Sequence, residues 1–202
     1  MRSFPIPTLP ACLMAISSQR PNGPWFDGDD HHERSCRKET RMVLLANQNN
    51  NCGWCEQEIS ITSSHTDHIL PKANAAYANL TFAPSNLLAC CGTTCSPTCG
   101  HAKLGHILAS WINPYQTPNL EHSFTYEING AMSPSSTLTS QAFAEALDAV
   151  DRILQLNHSV LKTKRERLIN RLINTDYHDK TIDQIYQEIG EFKSVIEQYA
   201  PA

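Results

Sequence analysis

Apolar positions in the last third of the chain recur at helical spacing. Leu147, Val150, Ile153 and Leu154 make one stripe, Val160, Leu161, Leu168, Leu172 and Ile173 a second, and Ile182, Ile185, Ile189, Phe192 and Ile196 a third. That period predicts three helices after about residue 138, with breaks near Asn157 and between 174 and 179. The stripes exceed what a small core needs, so these helices are also expected to carry a contact surface for a partner. Before them, FTYEINGAM at 124–132 alternates around Asn129-Gly130, which predicts a hairpin. Residues 33–48 carry Met42, Val43, Leu45 and Ala46 among basic residues, an amphipathic helix with Asp29 or Asp30 as its N-cap. His31 and His32 precede it in a polar, solvated loop. Residues 1–24 hold five prolines, which predicts an extended arm packed through Phe4, Ile6 and Leu9. HAKLGHILASWINP reads as a short helix and turn stopped by Pro114. These elements divide the chain into 1–51, an arm and helix; 52–113, a compact core; and 114–202, the hairpin and helices, expected to form one unit with that core.

Composition narrows the class. A chain of 202 residues, 41% hydrophobic and 18% charged, is long enough for one well-packed core. Eight cysteines would suit a secreted disulfide scaffold, but Cys90, Cys91, Cys95 and Cys99 crowd together near histidines, which favours metal binding. Cys12 and Cys36 have no partner at ligand spacing and read as packing residues. The apolar FPIPTLPACLMAIS lacks a leading basic run and is broken by prolines, so no export signal is read. No stretch approaches the roughly 20 apolar residues of a membrane span. A cytoplasmic location is expected.

The candidate chemistry lies in residues 52–103. Cys52 and Cys55 form a CxxC knuckle, whose short turn lets two thiolates meet one tetrahedral zinc. Two further thiolates must come from Cys90, Cys91, Cys95 and Cys99, and reduced buried cysteines are the plainer alternative. Four thiolates leave no open position, so such a zinc is structural. A second constellation is separate from it. Asp67 can hold a hard divalent ion such as Mg2+ or Mn2+ through oxygen, and neutral His68 beside it can take a proton from water. His101 can complete the ion's site, although His65 competes for that role. Asn86 can hold the loop after His68 through side-chain bonds to backbone, or can merely cap a helix. Lys103 can contact phosphate.

CGWCE, DHILPK, NLLACC and CGHAK resemble the HNH endonuclease family, and more narrowly the PtuB-type nucleases of Septu anti-phage defence systems, which also occur with retrons. The resemblance extends to INPYQTPNLEHSFTYEINGAM and to AVDRILQLNHSVLKTKRERLI, and so covers most of the chain. It implies an α+β, mainly helical fold with a zinc-supported ββα-metal (HNH) core. The family pattern puts a cysteine five residues after the asparagine and another four before the lysine, here Cys91 and Cys99, with Cys95 as the alternate. It implies His68 and Asn86 as catalytic, Asp67 and His101 on a catalytic Mg2+ or Mn2+, and Lys103 on substrate. The implied activity is cleavage of phosphodiester bonds, in DNA for preference, under control of a PtuA-type ATPase, with a reverse transcriptase and non-coding RNA if a retron is involved. The chain departs from the family at Asp67, where glutamate is commoner, at the GTTCSPT insertion, and at His101, one place later than usual.

Charge bears on that reading. The whole chain carries −4, and residues 52–105 set Lys72 and Lys103 against Glu56, Glu58 and Asp67. That is a weak grip on phosphate. Residues 152–171 hold six basic side chains against Glu166, a face that suits nucleic acid, solvent or a partner. A non-catalytic zinc-stabilised binding module is the competing function. His68 discriminates, because such a module has no use for a base beside a carboxylate.

Overall fold

The computed structural model describes residues 1–26, 30–92 and 97–200. The architecture is α+β with helix predominating and, among the described residues, two small two-stranded sheets. Helix α1 (Ala11–Gln19) and helix α2 (His31–Asn47) come first. Strands β1 (Ser64–His68) and β2 (Leu87–Cys91) then form an antiparallel ribbon, followed by helix α3 (Cys99–Lys103). Strands β3 (Phe124–Tyr126) and β4 (Met132–Pro134) make a hairpin, and α4 (Ser140–Asp148), α5 (Ser159–Asn174), α6 (Ile182–Ile189) and α7 (Lys193–Tyr199) follow. The buried side chains form one continuous cluster, from Leu13 and Leu44 through Trp54 and Leu88 to Ile185 and Ile196. None of the described helices is long and apolar enough to cross a membrane.

Several expectations need correction. The arm is not all extended: Ala11–Gln19 is helical because its prolines fall outside it, with Pro10 at the extended N-cap position. Cys12 and Cys36 are not unpaired packing residues. They form a disulfide between α1 and α2, a pairing across 24 positions that ligand spacing does not reveal. Asp30 is the N-cap of α2 but makes no side-chain cap bond, while Asp29 lies outside the described residues. His31 and His32 are exposed on the first turn of α2. The C-terminal region has four helices rather than three, since Gly190 at φ 83° ends α6 and Phe192 starts α7. Most of the apolar stripes are satisfied inside the molecule: Leu161, Leu168, Leu172, Ile185, Phe192 and Ile196 are buried, with Val160 and Ile173 outside.

The hairpin turn has a tertiary reason for its glycine. Gly130 sits at φ 77°, and a Cβ there would come within 2.1 Å of the Lys162 carbonyl oxygen on α5. Arg165 closes the same contact from α5, donating from Nε to the Gly130 carbonyl at 2.7 Å and from Nη2 to the Leu156 carbonyl at 2.6 Å. Its guanidinium lies over the Tyr126 ring and is buried. Arg152 pairs with Asp148, and Arg171 pairs with Glu188. The basic stretch is therefore less free for nucleic acid than its charge count suggests.

Candidate functional site

Cys52, Cys55, Cys91 and Cys99 are all buried, and their sulfurs lie within 4.8 Å of one another. Each arrives from a different local cause. Cys52 and Cys55 are joined by a tight turn, with the Glu56 amide donating to the Cys52 carbonyl at 3.0 Å and the Gly53 amide to the Ala89 carbonyl of β2 at 3.0 Å. Cys91 ends β2, and its own amide donates to Cys52 Sγ at 3.4 Å. Cys99 opens α3 with a left-handed φ of 59°, its amide held by the Leu154 carbonyl at 2.8 Å. The Cys55 and Cys91 sulfurs are 3.6 Å apart, close to the roughly 3.8 Å that a tetrahedral ion with thiolate bonds of about 2.3 Å requires. This cluster can hold a metal ion.

The pleat of β2 settles Cys90. Successive side chains of a strand point to opposite faces, so Cys90 leaves the cluster that Cys91 joins. It packs beside His65, with Sγ 3.3 Å from Nε2. Burial and the charge of Asp67 push its thiol well up, so it stays protonated. Cys95 lies outside the described residues. Within the cluster, burial raises the Cys52 thiol, but hydrogen bonds from Cys55, Cys91 and Cys99 reverse this and carry it below its ordinary range. Cys99 is held up, first by its bond to Cys52. Four thiolates packed this closely repel one another in the absence of a cation. A divalent cation lets all four ionise, which is why such cages bind metal tightly.

Glu56, directly after the knuckle, joins it to the far end of the chain. It takes a left-handed φ of 64°, and its carboxylate accepts from the Ser194 amide at 2.9 Å and the Ser194 hydroxyl at 2.7 Å. The Met1 ammonium meets the same carboxylate at 2.5 Å, both groups being buried. Its carbonyl accepts from the Phe192 amide at 2.9 Å. Glu56 thus caps α7 from outside the helix, satisfying donors that a helix start leaves open. Burial raises its carboxyl, yet the Met1 ammonium and the Ser194 bonds bring it below the usual carboxylate range.

Asp67 and His68 end β1 on opposite faces of the ribbon. Asp67 is buried, accepts from Trp54 Nε1 at 2.8 Å, and has the Lys103 ammonium 3.8 Å from Oδ1. Burial pushes its carboxyl up, with Lys103 opposing. Lys103 is fully buried and donates to the His68 carbonyl at 2.6 Å, so it points inward rather than toward a phosphate. His68 is 6% exposed and its Nε2 is 3.0 Å from the Thr81 carbonyl. Burial lowers its pKa to about 4. Asn86 accepts from the Leu70 amide at 2.7 Å and donates to the carbonyls of Leu70 and Leu80 at 3.2 Å and 3.0 Å. It therefore closes the loop between the strands, as its side-chain chemistry suggested, rather than capping a helix.

His101 is exposed on α3. The residue of α3 that approaches Asp67 is Gly100, where a Cβ would fall 2.7 Å from Asp67 Cγ and 2.7 Å from Cys90 Sγ. The close packing of α3 on β1 thus depends on a missing side chain. Among the described residues, the four cysteines are the group of three or more potential ligands that comes together, and Asp67, His65 and His101 do not form another. Three contributors were missed from sequence. Trp54 was visible inside the knuckle as CGWC, but its bond to Asp67 was not. Glu56 and Trp25, which packs on His68 at 4.8 Å between ring centroids, left no spacing signal. No protein-family model matches the chain, and no curated protein matches it.

Proposed function

We propose that this chain is an endonuclease of the HNH kind, hydrolysing phosphodiester bonds of nucleic acid, with zinc on Cys52, Cys55, Cys91 and Cys99 as its structural ion. The observation that carries the reading is the setting of His68. A carbonyl only accepts, so the bond to Thr81 places the proton on Nε2 and leaves the lone pair on Nδ1. A neutral imidazole with a fixed tautomer, at the end of a ribbon whose loop Asn86 locks, gives a general base its free lone pair and its orientation. Helix α3 follows the ribbon and packs on it, the strand-strand-helix order that the HNH resemblance implies. In this reading His68 takes a proton from the attacking water at Nδ1, Asn86 positions the loop, and Thr81 holds the ring. DNA is the favoured substrate, and a PtuA-type ATPase is the favoured partner on the resemblance alone.

The residues as arranged do not fit a catalytic Mg2+ or Mn2+. Asp67 faces an ammonium and a glycine, and His101 is exposed and forms no group of potential ligands with it. That observation favours the second reading, a zinc-stabilised module that binds nucleic acid or protein and cuts nothing. Incubation of the purified chain under reducing conditions with plasmid DNA, single-stranded DNA and RNA, in Mg2+, Mn2+ and EDTA, separates the two. Cleavage that His68→Ala reduces by about a hundred- to ten-thousand-fold, with fold and metal content intact, is the expected result. Equal cleavage by wild type and His68→Ala would remove His68 as the base, and no cleavage under any of these conditions would leave the binding module.

A further inference from the structure

His68 is covered by a side chain from outside the stretch that carries it. The Trp25 indole meets the imidazole edge-on, with ring centroids 4.8 Å apart and planes at 88°. It leans on Phe82 at 5.7 Å and is backed by Phe26 at 4.7 Å. The elements on either side of this aromatic pair are fastened together. The Cys12–Cys36 disulfide joins α1 to α2, Arg20 pairs with Glu33 at 2.5 Å, and the Arg37 guanidinium lies 5.8 Å above the Phe26 ring. A general base must approach its water to within about 2.6–3.2 Å. A ring only 6% exposed gives a water held on a polymer no approach.

We propose that Trp25 is an autoinhibitory gate over His68, held shut by the Cys12–Cys36 disulfide and opened when a dithiol reduces it. The proposal rests on the reading of His68 as the base. The exchange is ordinary: a thiolate of the reductant attacks Cys12 Sγ, the half-buried sulfur, and Cys36 leaves as thiolate and takes up a proton. The reductant's second thiol then displaces Cys12, so the protein gains two thiols and the reductant becomes a disulfide. Losing this cross-link loosens α1 from α2 and leaves the aromatic residues held by their packing on Phe82, by Arg37 over Phe26 and by the Arg20–Glu33 pair between the flanking segments. Local openings of this kind draw on the least stable parts of a fold.

The test reads exposure of His68 directly. Diethyl pyrocarbonate is applied near neutral pH, and modification of each histidine is located by peptide mass spectrometry, with exposed His101 as the internal reference. The samples are oxidised wild type, wild type reduced with dithiothreitol, Cys12→Ser/Cys36→Ser and Trp25→Gly, each checked for unchanged metal content. In the oxidised wild type, His68 should react far more slowly than His101. Reduction, the double serine variant and Trp25→Gly should each raise its rate roughly tenfold or more. Reaction of His68 as fast as His101 in the oxidised protein overturns the gate. Opening by Trp25→Gly but not by reduction or by the serine pair overturns the redox latch. The same samples are assayed for nucleic-acid cleavage. Exposure of His68 with no cleavage leaves Trp25 as a cover opened by reduction, and removes the nuclease reading and the autoinhibitory role with it. Cleavage by oxidised protein with His68 still protected overturns the gate and spares that reading.

Discussion

His68 makes folding depend on pH in a direction that can be worked out. Its pKa falls from an ordinary 6.5 to about 4 because burial disfavours the imidazolium. Between those values the unfolded chain binds the extra proton, so stability is full above the upper one and is lost as pH falls toward the lower. The shift corresponds to about 3 kcal/mol in all, and to about 2 kcal/mol between about pH 7.5 and about pH 5. Urea unfolding at those two pH values should show that loss, and His68→Gln should remove most of it. A pH-independent difference between wild type and variant would mean the ring is not buried in solution. Asn86 serves the same loop differently. Its three side-chain bonds to Leu70 and Leu80 all go to backbone. Asn86→Ala leaves those groups unpaired in a buried place and should cost about 1–3 kcal/mol, read as a lower melting temperature. An unchanged melting temperature would return Asn86 to a minor role.

The join between the cysteine knuckle and α7 shows how a short helix is made. Seven residues, Lys193–Tyr199, are too few to be stable alone, and their N-cap is a left-handed phenylalanine with no side-chain cap. Glu56 supplies the missing acceptor for Ser194 and the counter-charge for Met1. Glu56→Ala removes one partner of a buried ion pair and strands the other, which should cost about 3–5 kcal/mol. Glu58→Ala, two positions on and exposed, should change stability by less than about 0.5 kcal/mol. Chemical denaturation of both variants checks the contrast, and equal effects would show that the α7 join is not a source of stability. Helix α5 illustrates the opposite surprise. Its apolar stripe was readable, yet Arg165, counted as a charge on a polar face, is buried on the hairpin and bonded to the Gly130 carbonyl.

The cysteine cluster ties distant parts of the chain together. The four cysteines that can hold a metal come from a turn, a strand end and a helix start, and Cys99 is positioned by the Leu154 carbonyl from beyond the hairpin. One zinc per chain is expected, retained in Cys12→Ser/Cys36→Ser and lost in Cys52→Ser together with much of the thermal stability. Elemental analysis of folded wild-type protein that finds no zinc would refute this. Removal of residues 175–202 should cost the metal site as well, because Phe192 and Ser194 bond to Glu56 and Tyr186 bonds to Asn51 beside the knuckle. Those helices are part of the core, so a truncation that keeps full zinc and stability would show the packing to be dispensable.

Local spacing was enough for much of this. Helical stripes, the Asn129-Gly130 hairpin and the CxxC turn depend on residues a few positions apart, where periodicity and backbone preference act directly. The sequence therefore determined most of the helical segments, the hairpin and the Cys52 and Cys55 pair, and left Asn86 open between a loop clamp and a helix cap. The rest depended on partners far along the chain. Cys91 joins the cage and Cys90 does not because β2 pairs with β1 in the register Asp67 to Leu88 and His68 to Leu87, and a shift by one residue would exchange the two faces. Burial of Lys103 follows from Gly100 letting α3 approach β1. The Cys12–Cys36 bond and the cover of Trp25 on His68 arise from packing the arm against α2 and the ribbon. Such contacts are settled by how whole elements exclude water together, a condition no local pattern of residues carries.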